Sequence, residues 1–160
     1  WFTGPLMDPL FDRAAALGVP MLILTKASRL PDLAALLDHH DDLDVVIDHM
    51  ADCPLDDAKA RERLLDMARY PRVYVKISHT WGLSQEAYPW RDAHGLVRDV
   101  AESFGRERIM WGTDWPVCLQ EGVSYSEPLT VVRDEIDFFT DDDLEWVMCK
   151  TVLRLWPFDR

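Results

Sequence analysis

The sequence predicts an α/β fold with a parallel sheet, of the TIM-type (β/α)8-barrel kind. Three observations carry that expectation. Short, nearly continuous apolar runs recur along the chain, the mark of strands buried on both faces of a parallel sheet. Segments with helical apolar spacing separate them, so that strand follows strand at about 25 to 35 residues, the length of a right-handed βαβ unit. No Gly-x-Gly-x-x-Gly or other glycine-rich phosphate loop follows any run. That absence favours the barrel over the doubly wound sheet, which four to six such units would also suit.

Taken in order, residues 5–17 space Leu6, Leu10, Ala14 and Leu17 as a helical stripe, and Gly18 sits where a helix-ending glycine belongs. Residues 19–25 are the first apolar run, expected to be buried on both faces. A helix over 31–40 carries Leu33, Leu36 and Leu37, and residues 44–49 form the second strand. The cycle repeats with a helix over 58–70, a strand over 73–78, a helix over 91–104 closed by Gly105, and a strand over 108–113. A long irregular loop and two helices, over 129–139 and 141–155, complete the chain.

Length and charge narrow the reading. The chain has 160 residues, 48% of them hydrophobic, enough for a core in a single domain over 1–160. A complete barrel needs about 250 residues, so four units make a partial barrel. The start at Trp1-Phe2, without Met, suggests a chain that begins inside a longer reading frame. A formal net charge of −12 with no basic cluster repels phosphate backbones and anionic lipid. The expected partner is therefore a small-molecule substrate, with no nucleic acid and no membrane. Cys53, Cys118 and Cys149 are widely spaced and odd in number, which suits a reducing, cytoplasmic setting.

In a parallel α/β architecture function collects at the C-terminal ends of the strands. The polar residues there are Thr25 and Lys26; Asp48 and His49; Lys76, Ser78 and His79; and Thr113 and Asp114. His49 ends an apolar run and suits a metal ligand, a general base or a loop-bonding histidine. Asp114, in Trp111-Gly112-Thr113-Asp114-Trp115-Pro116, is costly at a crowded mouth unless a proton, metal or hydrogen bond compensates it. It can activate water or hold a divalent ion; the plainer alternative is a turn or helix-capping aspartate. Lys76 can pair with a mouth carboxylate or meet an acidic substrate, and His79 and Trp81 open the loop that follows.

These residues carry a family resemblance. Val45-Val46-Ile47-Asp48-His49-Met50, Arg72 to Ser78, Phe104 to Pro116 and the ending Lys150 to Phe158 together resemble the amidohydrolase-related (amidohydrolase 2) family, most closely its lactonase-like branch. The resemblance implies that the four strands are the fifth to eighth of the barrel, so that this chain supplies about the last four β/α units. Family members include lactonases of pyrone dicarboxylates and sugar lactones, other C–O and C–N hydrolases, and non-oxidative decarboxylases. By motif, Asp114 resembles the eighth-strand aspartate, which handles the proton of the hydrolytic water and in some members binds metal. His49 resembles the sixth-strand histidine that polarises the substrate carbonyl. Metal-binding branches add a His-x-His motif on the first strand and a histidine on the fifth, where this chain reads Leu24-Thr25-Lys26.

The expected function is hydrolysis of a small cyclic ester, with Asp114 and His49 catalytic and Lys76, His79 and Trp81 shaping the substrate pocket. The expected cofactor is none, or one divalent ion such as zinc or manganese with Asp114 among its ligands. Two alternatives stand beside it: a divalent-metal-dependent amidohydrolase or decarboxylase, and a non-catalytic half-barrel whose open strand edges make a homo-oligomer.

Overall fold

The structure, a computed structural model, describes residues 2–158; the Trp1 start noted above lies outside that range. Four parallel strands form one sheet in the order β1-β2-β3-β4: β1 Met21–Ile23, β2 Val45–Ile47, β3 Val73–Ile77 and β4 Ile109–Trp111. Each strand adds on the same side as the one before, with Met21 opposite Val45, Val45 opposite Val73, and Val75 opposite Ile109. A doubly wound sheet reverses at a switch point, whereas the staves of a barrel do not.

Most of the helical cover lies on one face. Ile23, Val45, Ile47, Val75, Ile77 and Ile109 share a core with Phe11 of α1 (Met7–Leu17), Leu33 of α2 (Leu30–Leu37), Leu64 of α3 (Ala58–Asp66) and Leu96 of α5 (Arg91–Phe104). The single turn α4 (Thr80–Leu83) precedes α5. The alternate residues Val46, Tyr74 and Met110 turn to the other face and cluster separately with Leu155 near the chain's end. Period-two alternation thus sorts each strand into a helix-facing row and a row facing the barrel interior.

Local signals explain most boundaries. Gly18 ends α1 at φ 62°, a left-handed conformation that glycine reaches without Cβ strain, and its N–H donates to Ala14 and Ala15 carbonyls. The Asp57 carboxylate accepts from the Lys59 and Ala60 amides and caps α3. In α5, Ala93, Leu96, Val97, Val100 and Phe104 recur at helical spacing and are all buried.

Several expectations need correction. The buried stripe of α1 is Met7, Phe11 and Ala14, while Leu6, Leu10 and Leu17 face outward. Phe11 decides this rotation: its ring buries more area than any leucine and packs on His40, which also pairs with Asp8 and Asp12. β1 is covered on one face only, with Leu22 and Leu24 46% and 62% exposed, because no described residue lies over them. The irregular loop after β4 contains a helical turn, α6 (Val117–Gln120). Beyond it, α7 (Ser126–Thr130) runs on as a π turn to Glu135 and stops short of Phe139. α8 (Asp141–Glu145) and α9 (Thr151–Leu155) are joined through a π turn into the single helix expected over 141–155. Among the described residues no helix is long and apolar enough to cross a membrane.

Candidate active site

Where β2 ends, the backbone leaves ordinary geometry. His49, Met50, Ala51 and Asp52 have φ of 53°, 49°, 56° and 44°, four successive left-handed residues and none of them glycine. Each costs roughly 1–2 kcal/mol, and such a run persists only where surrounding contacts enforce it. The next two strands show the same feature once each: His79 follows β3 at φ 61°, and Asp114 follows β4 at φ 56°. These kinks bring the strand-end side chains together.

His49 is the centre of the group. Its Nδ1 lies 2.8 Å from Ser78 Oγ, and its Nε2 lies 3.5 Å from Asp114 Oδ1. With the Ser78 hydroxyl donating to Nδ1, the ring proton sits on Nε2 and faces the carboxylate. Burial pushes the His49 imidazole below its usual pKa, a shift that Asp114 and Asp48 only partly offset. A neutral ring that donates from Nε2 is therefore the resting form. The Asp114 carboxylate is not spent on capping α6, whose N-terminus has no side-chain cap. The turn is instead closed by Thr113 Oγ1, which accepts from the Trp115 amide, and by the Asp114 carbonyl, which accepts from Cys118.

Around this pair stand three further arrangements. Lys76 Nζ lies 2.7 Å from Asp48 Oδ1, an ion pair outside hydrogen-bond angle and the strongest contact of that buried oxygen. Gly112 lies against both Lys76 and Ser78, which puts the three on one side of the sheet. His79 Nδ1 donates to Asp52 Oδ1 at 3.1 Å, a bond that holds the Asp52 carboxyl below the usual carboxylate range. The His79 ring meets His49 edge-on at 5.3 Å and Trp81 at 4.4 Å. The Trp81 indole N–H is buried without an acceptor. Cys53 is buried, with its thiol pushed up to about 11, so it is protonated at neutral pH and no nucleophile.

The structure thus places Asp114, His49, Lys76, His79 and Trp81 at one end of the sheet. Within that group it separates a His49–Asp114 pair from a Lys76–Asp48 pair and an Asp52–His79–Trp81 group. Asp48 and Ser78 stand among the strand-end polar residues without an expected role, and Asp52 was not singled out. The strand-end rule reached Asp48 and Ser78; it could not reach Asp52, because only the left-handed turn returns it to the mouth. Among the described residues no group of three or more His, Cys, Asp or Glu side chains is placed to hold a metal ion. His49 and Asp114 offer two donors, and stable sites take at least three protein ligands, so the residues described do not make up a metal site.

Comparison with known proteins bears on the family and the fold. A family model described as amidohydrolase matches residues 1–158. An L-fucono-1,5-lactonase of Burkholderia ambifaria is 32% identical over 123 residues, covering 73% of this chain and 41% of the relative. An amidohydrolase from Burkholderia multivorans, crystallised with HEPES, superposes with a TM-score of 0.86 at 25% identity over 99% of this chain and 60% of its own. A second crystal form of that protein, with bound zinc, gives a TM-score of 0.87 at 24% identity. A Pseudomonas putida protein assigned as a 2-pyrone-4,6-dicarboxylic acid hydrolase gives 0.82 at 24% identity, over 96% of this chain and 57% of its own, a likeness of fold. The chain spans less than half the length of the curated relatives it matches.

Proposed function

The chain belongs to the amidohydrolase family, and from that premise we propose that the protein hydrolyses a lactone, with Asp114 as the base and His49 as the electrophile. The observation that carries this reading is the Asp114 carboxylate facing His49 Nε2 at 3.5 Å, at the strand ends where barrel enzymes do their chemistry. Asp114 takes a proton from water as the oxygen attacks the lactone carbonyl, and His49 donates to the carbonyl oxygen as charge builds there. The ring C–O bond then breaks and the leaving alkoxide takes the proton back from Asp114, giving a hydroxy acid. Lys76, held by Asp48, supplies a cation for an acidic or polyhydroxylated substrate, and His79 and Trp81 wall the pocket.

The similarity to an L-fucono-1,5-lactonase supports sugar-1,5-lactones as the first substrates to assay. A divalent ion on Asp114 would need donors beyond the described residues, so no step is assigned to one. A metal-dependent amidohydrolase or decarboxylase is separated by metal analysis and by activity after chelation. The outward leucines in and beside α1 and β1, Leu6, Leu10, Leu17, Leu22 and Leu24, mark an apolar edge on which further polypeptide packs, in the same protein or a second copy.

The test is release of acid from L-fucono-1,5-lactone by the full-length protein. Asp114→Asn should lower kcat about 10³-fold or more while the protein stays folded. Near-normal turnover by that variant, or inertness of the wild type toward every sugar lactone, would sink the proposal.

A further inference from the structure

Resting on the lactonase reading above, we infer that Gly82, His79 and Asp52 form a positioning device that holds the His49 ring toward Asp114. The left-handed turn begins at His49 and ends at Asp52, so the orientation of His49 depends on whatever fixes Asp52. That anchor is His79, whose Nδ1 donates to Asp52 Oδ1 at 3.1 Å. His79 in turn is held from three sides. Trp81 packs on its ring at 4.4 Å, His49 meets it at 5.3 Å, and Gly82 lies beneath it.

Gly82 is the least obvious member and the one the geometry explains best. It sits inside α4, where alanine is the better helix former by about 1 kcal/mol, and its φ lies outside the left-handed region. Backbone freedom therefore does not account for it; space does. A Cβ there would lie 2.0 Å from His79 Nε2, 2.5 Å from Cδ2 and 2.8 Å from Cε1, deep inside contact distance along one whole edge of the ring. Any larger residue drives the ring out, breaks its bond to Asp52 and releases the turn that carries His49. None of the three touches the reacting atoms: Nδ1 of His79 is engaged by Asp52, and Nε2 is walled by Gly82. Asp52 and Gly82 act through His49, and His79 does so beside its place in the pocket wall.

A double-mutant cycle on the full-length enzyme tests this with Gly82→Ala, His79→Ser and the pair. Gly82→Ala should lower kcat about 10- to 100-fold with KM within about threefold, since a misplaced His49 weakens the transition state more than substrate binding. In the His79→Ser background, where no ring remains to collide, the same substitution should cost less than about twofold. Wild-type turnover by Gly82→Ala, or an undiminished loss in the His79→Ser background, overturns the inference. The His49 imidazole NMR signals provide a second readout that needs no substrate. They should move in both single variants and no further in the double. If the wild type opens no lactone the lactonase reading falls, and unmoved His49 signals would then overturn the positioning role separately.

Discussion

The two ends of the sheet handle the same backbone problem in opposite ways. At the floor, where the helices hand over to the strands, the left-handed positions are Gly18 and Gly105, residues that adopt them without strain. At the mouth they are His49, Met50, Ala51, Asp52, His79, Trp90 and Asp114, all with side chains, and one glycine, Gly122, further along the loop after β4. Polar groups follow the same division. The floor is closed by Arg108, whose guanidinium donates to the carbonyls of Phe104, Ala68, Tyr70 and Val73, and by Thr151, which donates to the Arg106 carbonyl. The mouth leaves the Trp81 N–H without an acceptor and Asp48 Oδ1 with a poorly aligned cation. A floor with its polar groups satisfied and its turns relaxed serves stability. A strained mouth is where the proposed function puts its side chains.

The largest effect expected from that contrast is at His49. His49→Gln should reduce kcat about 10²- to 10⁴-fold in the full-length enzyme while shifting the urea midpoint little, since an oriented donor to a developing oxyanion is worth that much. An activity loss matched by a comparable loss of stability would mean that the mouth is structural after all.

The floor should answer in the opposite sense. Arg108→Ala removes the guanidinium bonds to four carbonyls, of which Tyr70 keeps the Val73 amide as a donor, and should destabilise by about 2–3 kcal/mol in chemical denaturation. Turnover per folded molecule should stay at the wild-type level; a fall in kcat without a fall in stability would erase the distinction between the two ends.

Strain can be probed directly. Ala51→Gly relieves a left-handed alanine at φ 56° and should raise stability by about 0.5 kcal/mol, even though it gives up a buried methyl. The same exchange at Ala60, buried in α3, should lower stability by about 1 kcal/mol. Equal costs at the two alanines would show that the turn stores no strain.

The smallest effect is on pH. Because burial lowers the His49 pKa, the folded state binds fewer protons there than the unfolded chain does. That stability is fully present above the ordinary imidazole value of about 6.5 and is lost as the pH falls through the lower folded value. The acid limb of kcat should likewise lie below 6.5 and should change shape in His49→Gln. A wild-type limb centred above 6.5 would contradict the neutral, Nε2-donating ring.

Much of this was legible in the sequence because it depends on neighbours along the chain. Apolar periodicity located the strands and main helices, Gly18 and Gly105 marked helix ends, and the strand-end rule selected His49, Asp114 and Lys76. What stayed hidden depends on residues far apart in the chain. The burial of Met7 and Phe11 in place of Leu6 and Leu10 goes with the packing of Phe11 on His40, far along the chain. The partners of His49, Lys76 and His79 lie between 27 and 65 residues away, joined by strand register and by turns whose conformation no residue type announces. The sequence by itself determined a parallel (β/α) wall and the end of it that carries the chemistry, because periodicity and chain order suffice for both. Only the tertiary structure decided which side chains pair there. Four L-residues hold a left-handed path because long-range contacts outweigh their local preference, and local preference is what a sequence displays.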